Sequence, residues 1–162
     1  MSNINKMLLL GLSLILLGVG GKKAVYEGKI LVAKLWGNTR GLKNNNAGNI
    51  VHSDIKWKGL APVQNDPTFV TFSTPEAGIS AIYKNLLSYR RNGLDTIDKI
   101  IRTWSKTDQA AYVKNVSNAL KINPNSKVPL DAYPLLVKAI IVQENGLNPY
   151  PDSLIIGAIQ NG

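Results

Sequence analysis

Leu135 to Gly146, LLVKAIIVQENG, is the stretch whose reading decides the fold. Leu136, Val137, Ile140, Ile141 and Glu144 recur at the spacing of one helical face, so a helix here carries a carboxylate on the same stripe as residues that must be core. Val142 adds apolar surface on another side and only Lys138, Gln143 and Asn145 are strongly polar, which predicts a helix surrounded by protein. Asn145-Gly146 stops it. At that end Glu144 meets both desolvation and the negative pole of the helix dipole. Two readings stay open on these residues alone: a general acid, or a helix-end carboxylate that is solvated or paired with a cation.

The chain on either side reads as more helix. Ser73-Thr74-Pro75-Glu76 offers a cap, a proline in the first turn and Glu76 as a capping-box partner of Ser73. The helix that follows carries Ile79, Ile82, Tyr83, Leu86 and Leu87 on one face and stops at Asn92-Gly93. A second, capped by Asp95 or Thr96, carries Ile97, Ile100, Ile101 and Trp104. A third, opened by Thr107-Asp108, carries Ala111, Tyr112, Val116, Ala119 and Leu120, and these aromatics read as packing. Asp131 is the expected cap of the Glu144 helix, and a last apolar helix runs from Asp152 to Ile159. Asn49 to Trp57 and Thr68 to Phe72 read as two short strands of a hairpin, the second alternating as TFVTF. Before them GLKNNNAGNIV, Gly41 to Val51, is dense in Asn and Gly, either a loop closing its own backbone bonds or a ligand-contacting cluster.

The 162 residues suit one compact domain with an appendage. A formal charge of +9 points to anionic surroundings: nucleic acid, lipid headgroups or wall polymers. The absence of cysteine removes disulfides and thiolate chemistry, and the single histidine, His52, leaves little room for a zinc site or a Ser-His-Asp triad. Met7 to Gly21, MLLLGLSLILLGVGG, lies between Lys6 and Lys22-Lys23 and belongs in a membrane or a translocon. It is short against the roughly 20 residues of a full span, but Ala24 to Trp36 could extend it. The expectation is a retained membrane anchor with its membrane-proximal helix over residues 1–36 and a globular domain over residues 37–162, with Gly37 to Arg40 as linker.

Two pieces of the chain carry a resemblance. NNNAGNI followed by FVTFSTPEAGISAIYKNLLSY resembles the asparagine-rich segment, hairpin and helix of the bacterial cell-wall glucosaminidases. RGLKNNNAGNI, Arg40 to Ile50, and ENGLNPY, Glu144 to Tyr150, are similar to the two ends of a family of phage virion proteins regarded as lysozyme-like wall hydrolases. The likeness covers most of Arg40 to Tyr150. It departs from the glucosaminidases and lytic transglycosylases in order, since their acid helix precedes the Asn-rich segment and here the matching helix follows it, as in a circular permutation. Ala47 also stands where the phage proteins commonly have proline.

The resemblance implies an α+β, mostly α, lysozyme-like domain with a small β-hairpin behind an N-terminal membrane-anchor helix. It implies a muramidase or lytic transglycosylase that cuts peptidoglycan glycan strands during phage entry or exit, with Glu144 as catalytic acid. Asn44, Asn45, Asn46, Asn49, Tyr83 and Tyr150 are the expected sugar-binding residues. A two-carboxylate hydrolase needs a partner about 5 to 9.5 Å away, for which Asp54 and Asp66 are the candidates in or around the hairpin. A transglycosylase needs none. No cofactor, metal or nucleic acid is expected. The partners are peptidoglycan, other virion proteins and a membrane through Met7 to Gly21, and the location is the virion, anchored in an internal membrane, or else the bacterial envelope. The competing expectation is a non-catalytic virion membrane or wall-binding protein on the same fold.

Overall fold

The computed structural model describes residues 39–162, which form one unit, Thr39–Gly162. Six α-helices are present among them: α1 (Arg40–Lys43), α2 (Pro75–Arg91), α3 (Ile97–Trp104), α4 (Gln109–Leu120), α5 (Tyr133–Asn145) and α6 (Asp152–Asn161). A 3-10 turn, Leu130–Ala132, leads into α5. α5 packs against α1, α2, α4 and α6, and so is the rod around which the others are laid. Leu136, Val137, Ile140 and Ile141 are fully buried, as their shared face requires. The enclosure is incomplete, however: Leu135 is 40% exposed and Val142 44%, so one apolar side of α5 is open rather than surrounded. Gly146, at φ 75°, takes the left-handed turn that ends the helix.

The expected hairpin is corrected. Residues 49–57 and 68–72 form no strands, and no strand occurs among the described residues; Val51 and Phe69, and Leu60 and Phe72, meet only as isolated bridges. The physical reason is that only two backbone bonds join the segments, Val70 N to Ile50 O at 2.9 Å and His52 N to Thr68 O at 3.0 Å, and side chains take over the rest of the ladder. The buried Asn46 amide donates to the carbonyls of Ile50 and Val70, both at 2.8 Å, and accepts from Ile50 N at 2.9 Å. Gln64 likewise donates to Ala61 and Thr71 carbonyls and accepts from Thr71 N. Asn49 at φ 51° breaks the extended run at its start. The body is therefore helical with an amide-stapled loop in place of a hairpin, not the expected lysozyme-like α+β domain. The second half of that expectation also fails to find support: Met7 to Gly21 lies outside the described residues, and no helix among the described residues is long and apolar enough to cross a membrane.

The helix ends match some of the local signals and depart from others. Thr74, not Ser73, caps α2 by accepting from Ala77 N at 3.2 Å, while the Ser73 hydroxyl donates to Leu60 O. Glu76 is thus one position too early for a capping box. Thr96 caps α3 as expected, whereas Asp131 sits inside the 3-10 turn and caps nothing. On α4, Tyr112, Val113, Val116 and Leu120 are buried and Ala119 is exposed. α2 lies so close to the Asn-rich loop that a Cβ on the buried Gly78 would overlap the Asn45 carbonyl, which makes glycine a packing requirement there.

Asn46→Ala should lower unfolding free energy by at least about 2 kcal/mol, because the buried Ile50 N–H and Val70 carbonyl lose their partner. Urea titration monitored by circular dichroism measures this, and a loss under about 0.5 kcal/mol would show that the loop does not depend on the staple.

Candidate functional site

The C-terminal turn of α5 presents two adjacent residues that both reach the Asn-rich loop. Asn145 donates to Ala47 O at 2.7 Å and to Ile141 O at 2.9 Å, and its side-chain oxygen accepts from the Thr39 hydroxyl at 2.5 Å. It is 7% exposed, so these bonds are made away from water and fix the loop against the helix end. Glu144, half-buried beside it, has a donor on each carboxylate oxygen: Tyr112 OH on Oε1 at 3.0 Å and Asn49 Nδ2 on Oε2 at 2.9 Å. Residues separated by 32 and 95 positions in the chain thus converge on one carboxylate.

Each donor is held by its own surroundings. Tyr112 is 4% exposed on α4, and burial together with the Glu144 charge pushes its phenol far above the ordinary value, so it stays a neutral O–H donor. Asn49 is held in the left-handed region, which Asn tolerates better than most residues. Its Oδ1 is buried with no hydrogen-bond partner among the described residues and lies where a Cβ on Gly41 would come within 2.6 Å. Gly41 therefore leaves room for the Asn49 amide to point its N–H at Glu144.

Of the four asparagines expected to bind sugar, only Asn49 touches Glu144. Asn44 Nδ2 donates to Asp66 at 2.8 Å and Asn45 Nδ2 to Phe72 O at 3.0 Å, while Asn46 is the buried staple. Tyr83 meets the buried Tyr133 edge to face, with ring centroids 6.2 Å apart. Tyr150 is pushed up to about 12 by burial and by the charge of Glu76, so it neighbours Glu76 rather than Glu144.

The two candidate second carboxylates do not join the site. Asp66 is engaged by Arg40 through both oxygens at 2.5 and 2.6 Å, by Asn44, and by the backbone N–H groups of Thr68 and Phe69, both at 2.9 Å. The Arg40 guanidinium, which also lies 4.6 Å over the Phe69 ring, holds the Asp66 carboxyl far below the usual carboxylate range. Asp54 is exposed on the loop and bonds none of the described residues. A cleft of about 630 Å³ opens between α2 and α6, bounded by Lys58, Glu76, Ser80 and Leu154 among others, and Glu144 is not part of its wall. Among the described residues no group of three His, Cys, Asp or Glu side chains could hold a metal ion.

Tyr112, Asn145 and Thr39 were not singled out by sequence. Tyr112 carries the helical spacing of a core residue, and nothing local marks its hydroxyl. Asn145 was legible only as half of a stop signal.

The geometry defines a helical domain with one carboxylate gripped by two neutral donors. The chain is 38% identical over 118 residues to Protein P5 of Pseudoalteromonas phage PM2, a match that covers 68% of this chain and 74% of that protein. No protein-family profile matches it. The chain belongs to the family of this phage protein.

Asp66 gives a signed pH prediction. Its carboxyl is held below its unfolded value of about 3.9, so the stabilisation is complete above about pH 4 and is lost as pH falls further. Asp66→Asn should be less stable than wild type at neutral pH and should show a shallower loss below about pH 4. Urea midpoints across pH check this; parallel curves for the two proteins would contradict it.

Proposed function

We propose that this protein is carried in a phage particle and opens bacterial peptidoglycan by cutting its glycan strands, with Glu144 as the one carboxylate at the breaking bond. The observation that carries this reading is the engagement of both Glu144 oxygens by neutral donors, Tyr112 and Asn49, with no cation and no second carboxylate as a partner among the described residues. Neutral donors orient the carboxyl group without tying it up in an ion pair. The likeness of Arg40 to Ile50 and Glu144 to Tyr150 to phage wall hydrolases supports the substrate, and kinship with a phage protein supports the setting.

A single carboxylate suits the lytic transglycosylase course better than the hydrolytic one. Glu144 gives a proton to the glycosidic oxygen as the bond to the anomeric carbon breaks, then takes one from the substrate's own hydroxyl as that oxygen closes on the same carbon. The proton balance returns Glu144 to its starting form, and no water is consumed. Asn49 and Tyr112 hold the carboxylate on line through both events. Peptidoglycan is the partner outside the particle, and other virion proteins are the partners within it.

One observation favours a second reading. Both oxygens of Glu144 are already satisfied within the protein, as suits a carboxylate that only ties the loop to α4 and α5 in a non-catalytic virion or wall-binding protein.

Purified peptidoglycan incubated with wild type and with Glu144→Gln separates the two. Mass spectrometry of released fragments should show anhydro-muropeptides from wild type and a loss of at least about 100-fold in the variant, the scale of general acid catalysis. Equal release by both proteins removes Glu144 from the chemistry, and no release by either establishes the non-catalytic reading.

A further inference from the structure

Gly48 and Asn49 are consecutive residues of the Asn-rich loop, and they face different partners. Asn49 holds Glu144. Gly48 is buried, and a Cβ added to it would come within 2.7 Å of Ile82 and 2.9 Å of Trp104 Cζ2. The indole at the end of α3 therefore lies against the loop backbone one residue away from the amide that grips the carboxylate, and only glycine lets it come that close. Trp104 is partly exposed, and its other side meets Tyr89 edge to face, with ring centroids 6.3 Å apart. Its Nε1 bonds none of the described residues and is not among the enclosed polar atoms, in contrast to Trp57 Nε1, which is buried without a partner.

We infer that Trp104 is the aromatic wall of a sugar subsite beside Glu144, stacking on one N-acetylhexosamine of the glycan strand and donating its indole N–H to that sugar. This rests on the reading of Glu144 given above. The chemistry of an N-acetylhexosamine fits: its ring presents an apolar C–H face, and its hydroxyls and N-acetyl carbonyl accept hydrogen bonds. A partly exposed tryptophan whose N–H bonds none of the described residues supplies both kinds of contact from one rigid side chain. Three tyrosines of the described residues lack this combination. Tyr83 packs on Tyr133, Tyr150 lies by Glu76, and Tyr112 is buried with its hydroxyl already given to Glu144.

The test uses the full chain carrying Glu144→Gln, so that the probe survives, titrated calorimetrically with the β-1,4-linked tetramer of N-acetylglucosamine. Trp104→Leu keeps apolar volume against Tyr89 and Ile82 but removes the stacking face, and should weaken binding about tenfold. Trp104→Phe keeps a ring and should weaken it less than about threefold. Tetramer should also shift the tryptophan emission of the parent, and the shift should vanish in Trp104→Phe while binding persists, a readout that stands even if the Leu variant does not fold. Binding by Trp104→Leu as tight as the parent, an emission shift that survives without Trp104, or no binding of the tetramer by the parent overturns the inference. The two proposals fail separately. An active Glu144→Gln with Trp104-dependent binding removes the catalytic reading and leaves the wall, whereas an inactive Glu144→Gln with Trp104-independent binding does the reverse.

Discussion

The side chain of Asn145 reaches from the last turn of α5 to the carbonyl of Ala47, 98 positions away in sequence, and the rest of the structure depends on that bond. A buried amide is costly to leave unpaired, by about 1 to 3 kcal/mol for each unmet group, so Asn145 with its three partners selects one placement of the Asn-rich loop against the helix end. Once that placement is set, Asn49 falls beside Glu144, Gly48 falls against Trp104, and Asn46 can staple Ile50 to Val70. Thr39 closes the arrangement from the start of the described chain by giving its hydroxyl to the same amide.

Around this clamp the carboxylates sort by what they touch. Asp66 is consumed by Arg40 and two backbone N–H groups, and its business is to hold the turn before Thr68. Glu76 lies by Tyr150 at the exposed start of α2. Asp95, Asp98 and Asp152 pair with Lys127, Arg102 and Lys138. Glu144 differs from these ion-paired acids in having, among the described residues, no cation as a partner, only a phenol and an amide. A carboxyl group oriented by neutral donors instead of being paired with a cation is what the proposed proton transfer at a glycosidic bond uses.

The sequence was most informative where the signal is local and periodic. The buried stripe Leu136, Val137, Ile140, Ile141 and the faces of α2 and α3 follow from 3.6-residue spacing, and Asn145-Gly146 from the stop chemistry of helices. The hairpin failed because alternation in TFVTF reports an extended segment, not its partner, and here side-chain amides supply several of the bonds that a neighbouring strand would, including those to Val70 O and Thr71 N. Asn44 to Asn46 read equally well as ligand contacts or as a self-closing loop; their amides bond Asp66, the Phe72 carbonyl, and the Ile50 and Val70 carbonyls respectively. Tyr112 was invisible as a site residue because its spacing announces only core. Its hydroxyl acquires meaning from α4 lying against α5, a long-range fact that no local pattern encodes.

The central claim, that Asn49 and Glu144 act on one another across the chain, is tested most directly by a double-mutant cycle. Unfolding free energies of wild type, Asn49→Ala, Glu144→Ala and the double variant yield the coupling between the two side chains. The geometry requires a coupling of at least about 0.5 kcal/mol in the stabilising direction; strictly additive effects would mean that the loop and the end of α5 do not meet as described.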